Sequence, residues 1–71
     1  MNNDTYMDIR NALEHARNKH PEFTQTSHHS MVILMGEVGK IAQAMNDQLP
    51  QKVNRKIMDT IAVLIRMYEG D

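Results

Sequence analysis

Cysteine and tryptophan are absent from this chain, and its aromatic residues are two tyrosines and one phenylalanine. Without cysteine there are no disulfides, no thiolate zinc sites and no thiol nucleophile. Nothing in the order of residues supports the acid–histidine–serine geometry of a serine-based triad, and no Gly-rich phosphate loop is present. Long apolar runs are missing too. The run Met31 to Met35 is as long as any, far short of the about 20 residues that a membrane span needs. Nor is there an excess of one charge: 8 Lys+Arg stand against 9 Asp+Glu, so the chain as a whole is not marked as a nucleic-acid binder. The opening Met-Asn-Asn-Asp-Thr-Tyr lacks the basic and apolar regions of a signal peptide, so a cytoplasmic location is expected.

The 71 residues make one small domain with little margin of stability. A domain of this size buries only about 60% of its unfolded surface, and a single core below roughly 70–80 residues supplies perhaps 3–5 kcal/mol. With disulfides excluded, self-association is the favoured compensation. The expected partner is therefore the chain itself, as a homodimer or a dimer of dimers.

Three amphipathic segments and two breakers organise the chain. The first helix is expected over about residues 4–18. Asp4 or Thr5 serves as its N-cap, Tyr6, Ile9, Leu13 and Ala16 recur at helical spacing, and Pro21 forces His20 out of helical geometry. In the polar stretch from Glu22 to Ser27, Phe23 is the one anchor onto a core. The second helix is expected over about 28–46, starting near Ser27 or Ser30, with Met31, Leu34, Val38, Ile41 and Met45 as a coiled-coil-like seam. Gly36 and Gly39 inside it each cost nearly 1 kcal/mol relative to alanine, which the close approach of another backbone or of a ligand would explain. The third helix is expected over about 51–69, with Val53, Ile57, Ile61, Leu64 and Tyr68 as its main stripe and Gly70 as its stop. No strand pattern, internal repeat or low-complexity tract is present. The expected fold is an all-α three-helix bundle, completed by homo-oligomerisation.

Two helical words carry the functional interest: Glu37-Val38-Gly39-Lys40 and Lys56-Ile57-Met58-Asp59. Each holds one acid and one base three residues apart, on one helix face. In isolation they are ordinary salt bridges worth a few tenths of a kcal/mol each. Four carboxylates at these positions would instead suit Mg²⁺, which takes oxygen ligands. If the second and third helices pack antiparallel, the two pairs face one another, on the sides of Ile33 and Val63. Lys52, Arg55 and Lys56 also crowd the start of the third helix, where the macrodipole is positive and cations are disfavoured. An anion there would offset that cost, and exposed N–H groups with three cations make a phosphate site. The adjacent His28 and His29 point in different directions on a helix and form no ready chelate. His28 and His29 are expected to be exposed loop residues.

The stretch Met35-Gly36-Glu37-Val38-Gly39-Lys40-Ile41-Ala42-Gln43-Ala44 resembles the metal-binding helix of MazG-like nucleotide pyrophosphohydrolases, which typically reads Glu-Glu-x-Gly-Glu-(apolar)-Ala-x-Ala. The stretch Lys56-Ile57-Met58-Asp59-Thr60-Ile61-Ala62-Val63-Leu64-Ile65-Arg66 resembles its partner, Glu-(apolar)-x-Asp followed by an apolar helix. With the turn between them the resemblance covers about half the chain. It implies an all-α fold that assembles as dimers or dimers of dimers, and small proteins of this kind are common in bacteriophages. It also implies carboxylates holding Mg²⁺, which positions a nucleoside triphosphate for hydrolysis to the monophosphate and pyrophosphate. Glu37 takes the second acid of the first motif and Asp59 the last acid of the second. Gly36, Lys40 and Lys56 stand where three further acids are expected.

On that resemblance Glu37 and Asp59 remain as catalytic and metal positions, too few to bind Mg²⁺ other than weakly. Two ammonium groups repel the cation and pair with the same carboxylates. Such a site prefers the phosphate itself, with Lys40, Lys52, Arg55 and Lys56 as its ligands. The leading expectation is a nucleotide-binding protein with little or no turnover. The alternatives are a Mg²⁺-dependent pyrophosphohydrolase drawing further acids from a partner chain, with Glu14 and Asp8 as conceivable donors, and a non-catalytic helical interaction module.

Overall fold

The computed structural model describes residues 1–23 and 26–70, and the fold they adopt is an all-α bundle of three helices. Helix α1 runs Asn3–Lys19, α2 runs Ser27–Asn46 and α3 runs Pro50–Glu69. Of the polar stretch between α1 and α2, residues 24 and 25 lie outside the described residues.

Local chemistry accounts for the boundaries. The N-cap of α1 is Asn2, earlier than the Asp4 or Thr5 expected from sequence. Its side-chain oxygen accepts from the Thr5 backbone N–H at 2.8 Å and from the Thr5 hydroxyl at 3.0 Å, satisfying a donor that the first turn leaves open. At the other end the helix stops at Lys19, because Pro21 denies His20 a helical conformation. Thr26 caps α2 through its hydroxyl, which accepts from the His29 N–H at 3.2 Å. Leu49 offers α3 no side-chain cap, so Pro50, with no N–H of its own to satisfy, starts that helix. Gly70 ends it in the left-handed conformation, as its position in the sequence leads one to expect.

The α2–α3 turn closes by two bonds, Gln48 N–H to Met45 O and Leu49 N–H to Ala44 O, both at 3.1 Å. That pattern is a Schellman stop, and it puts Gln48 at φ 57, where glycine is the favoured residue. The turn is short enough to make α2 and α3 an antiparallel hairpin.

Helix α3 is the spine. It packs against α2 on one side and α1 on the other, while α1 and α2 do not pack against each other. The residues at these contacts are small or polar: Ser30 and Ala44 on α2, Thr60, Ala62 and Arg66 on α3 are the buried ones. This corrects the sequence reading of both stripes. Met31, Val38 and Met45 of the expected α2 seam are exposed, and so are Leu64 and Tyr68 of the α3 stripe. A helix with two neighbours on opposite flanks buries two narrow strips, and small side chains let those neighbours approach. The broad apolar stripe is left between them. The glycines are not explained by a close approach within the chain: a Cβ built on Gly36 or Gly39 meets nothing within 4 Å.

Gln48→Gly is expected to stabilise the fold by roughly 1 kcal/mol, since it relieves a left-handed non-glycine residue at the price of a more flexible unfolded chain. Urea denaturation should show a raised midpoint with an unchanged slope.

Candidate functional site

Because α1 and α2 stand apart on either side of α3, a cleft opens between them with α3 as its floor. It encloses about 1200 Å³. Ile33, Glu37 and Lys40 line it from α2, and Arg55, Lys56, Met58, Asp59 and Val63 from α3. Asp8, Asn11, Ala12, His15, Ala16 and Lys19 face it from α1.

The two acid–base words therefore converge on one cavity, on the sides of Ile33 and Val63 that helical spacing indicated. Each is also closed on itself. Lys40 Nζ lies 3.0 Å from Glu37 Oε1, and Lys56 Nζ lies 3.5 Å from Asp59 Oδ2. Within the first pair the carboxylate is the sheltered member, its side chain 17% exposed against 57% for Lys40, so the ammonium projects further towards solvent. Arg55 joins them on the cavity wall. Lys52 does not: it lies a turn nearer the end of α3 and lines no part of the cleft. Of the α1 acids considered as donors, Asp8 lines the cleft of its own chain, whereas Glu14 pairs with Arg10 at 3.4 Å away from it.

The distribution of charge is uneven. Five cations line the cleft (Lys19, Lys40, Arg55, Lys56, Arg66) against four acids (Asp8, Glu22, Glu37, Asp59). The whole chain carries 8 against 9, which leaves three cations and five acids elsewhere. The cleft thus gathers most of the cations, although its excess of one rests on Arg66, which is buried and bonded to backbone carbonyls. Three of the four histidines, His15, His20 and His29, line the same cavity. His28 and His29 are exposed as expected, but both belong to the first turn of α2 rather than to a loop, and His29 faces the cleft. No local signal could have joined His15 on α1 to His29 on α2, since only the packing of both helices on α3 does so.

The carboxylates that the resemblance assigns to Mg²⁺ are already paired. Glu37 and Asp59 are each engaged by a lysine of their own helix, and no three His, Asp or Glu side chains come together among the described residues. The chemistry the cleft offers is recognition of an anion by ammonium and guanidinium groups.

Arg66 is the residue sequence reasoning passed over. It is 2% exposed, at the α1 end of the cleft. Its guanidinium donates to the Ala16 carbonyl at 3.2 Å and the Pro21 carbonyl at 3.3 Å, and lies 5.1 Å from the centre of the Phe23 ring. Ala16 belongs to the last turn of α1, the negative end of the helix, and its carbonyl accepts from both Arg66 and the His20 N–H, the latter at 2.9 Å. Arg66 thus fastens α1 and the chain after it to α3, and Phe23 is the anchor expected, held by a cation. The Arg17–Glu69 ion pair adds a second tie between the C-terminal ends of α1 and α3. No buried side-chain nitrogen or oxygen among the described residues lacks a hydrogen bond.

No family model, curated protein or solved structure matches this chain. No helix of the described residues is long and apolar enough to cross a membrane.

Arg66→Lys keeps the charge but loses the planar fork that reaches two carbonyls and stacks on a ring. It should lower stability by about 2 kcal/mol, the worth of one charge-assisted hydrogen bond. Urea denaturation measures it, and no change would mean that Arg66 does not fasten α1.

Proposed function

We propose that this is a MazG-like nucleotide-binding protein, which holds a nucleotide or a related phosphorylated ligand in the cleft between α1 and α2 with little or no turnover. The observation that carries the reading is that Glu37, Lys40, Lys56 and Asp59, which occupy four of the acid positions of the family's two motifs, two of them as lysines, line one cavity together with Arg55. Its cations outnumber its acids although the chain as a whole has the opposite balance. The cavity, at about 1200 Å³, has room for a nucleotide-sized ligand, and phosphate oxygens accept readily from Lys and Arg.

The lysines take the place of a metal in this reading. Lys40 and Lys56 each pair with a carboxylate of their own helix, and an entering phosphate competes for the same ammonium groups. Glu37 and Asp59 then act as positioning residues that hold the lysines at the cavity wall. With three of the five motif acids replaced, a metal that would assist attack of water on a phosphoanhydride has fewer carboxylate ligands, and little turnover is the expectation. A second reading, Mg²⁺-dependent pyrophosphohydrolysis, draws support from Asp8 and Glu22, which bring the carboxylates lining the cavity to four.

Calorimetric titration with nucleoside triphosphates, with and without Mg²⁺, separates the two. Binding without Mg²⁺ that weakens about tenfold in Lys56→Ala is expected, in line with the loss of one charge-assisted contact. Absence of binding in both conditions would refute the proposal. Binding only with Mg²⁺, together with pyrophosphate release that Asp59→Asn abolishes, would replace it by the second reading.

A further inference from the structure

Soft metal donors are unevenly placed along this chain. With no cysteine, its sulfur is carried by seven methionines. On a helix, two such side chains meet when they stand three or four residues apart. Among the seven methionines and four histidines two pairs meet that condition, and they are contiguous: His28 with Met31, and Met31 with Met35. All three residues belong to α2. At about 3.6 residues per turn they form one strip, on the side of the helix opposite Ile33, Glu37 and Lys40, which line the cleft. Neither α1 nor α3 covers that strip. His28 is exposed, Met31 is 47% exposed and Met35 57%.

We propose that His28, Met31 and Met35 bind a soft monovalent metal ion, copper(I) or silver(I), through one imidazole nitrogen and two thioether sulfurs. Thioethers select such ions over hard ones, and imidazole suits copper as well. Met31 is the centre of the site, with the Cβ atoms of its two neighbours about 5–6 Å from its own. Side chains on a helix lean towards its N-terminus, which carries Met35 over Met31. Three rotatable bonds let each thioether turn its lone pair to a shared ion. The charge of the ion follows from the setting. The strip lies in the opening turns of α2, where the macrodipole is positive and a divalent ion is repelled twice as strongly as a monovalent one. No acid stands in the first turn to offset that repulsion, and the two charged residues of α2, Glu37 and Lys40, face the cleft. The step is coordination alone: no electron moves, and the neutral imidazole ligates through its free nitrogen lone pair.

The proposal stands whether or not the cleft takes a nucleotide. Titration of the full chain with silver(I) nitrate in chloride-free buffer, followed by NMR of the methionine methyls and histidine rings, tests it. The Met31 and Met35 methyls and the His28 ring should shift together and saturate at one ion per chain. Met7 and Met45 are the controls. They are 49% and 58% exposed but have no histidine or methionine three or four residues away, so their methyls should stay unmoved over the same range. Met31→Leu keeps the bulk of the side chain and leaves His28 and Met35 about two turns apart. It should weaken silver binding by about a hundredfold, the loss expected when a linked second ligand is removed, with an unchanged circular dichroism spectrum. Zinc(II) at the same concentration should not displace the silver. Shifts of equal size at Met7 and Met45, undiminished binding in Met31→Leu, displacement by zinc(II), or no binding of silver would each overturn the proposal.

Discussion

A buried guanidinium holds this small fold in shape. Arg66 sits on the central helix and donates to the carbonyls of Ala16 and Pro21, with Phe23 against its face. A cation taken out of water is costly unless its donors are matched, and here the open end of α1 supplies the match. Since α1 packs only on α3, that match decides where α1 lies. If α1 were shifted towards α2, the cleft would close. Cleft volume and the position of Asp8, His15 and Lys19 on its wall all depend on where Arg66 fastens the end of α1.

The same central helix sorts the chemistry of the molecule. Its charged residues gather on the half that faces the cleft and α1, and its broad apolar stripe faces the other way. This arrangement gathers the charged side chains of α3 on the cleft and α1 sides. The fully buried positions at the helix contacts are small or polar, the larger Leu34, Ile41, Ile57 and Ile61 are half-buried, and Met31, Val38, Met45, Leu64 and Tyr68 are exposed.

Much of this was legible in the sequence, and what was not has physical reasons. Helix existence and approximate ends follow from apolar periodicity, Pro21, Pro50 and Gly70, because these act locally. The convergence of residues 37–40 and 56–59 was legible as well, since a short turn and helical spacing fix which sides of α2 and α3 meet. The N-cap of α1 falls at Asn2, two residues before Asp4 and three before Thr5, because neighbouring polar side chains compete for the same N–H groups. The inward faces of α2 and α3 were misassigned for a deeper reason. Periodicity finds the apolar stripe but not what it packs against, and here the widest stripe points outward. Arg66 was invisible as a structural residue, because its partners are backbone carbonyls 45 and 50 residues away and carbonyls leave no mark on sequence.

We propose that the charged cleft between α1 and α2 is where ligand binds. An amide-resolved NMR titration with a nucleoside triphosphate reads every helix at once. Shifts are expected at Asp8, Ala12 and His15 on α1, and at Arg55, Lys56 and Asp59 on α3, while Ile61 and Tyr68, which do not line the cleft, stay unmoved. Shifts confined to Ile61 and Tyr68, or none at saturating ligand, would refute the proposal.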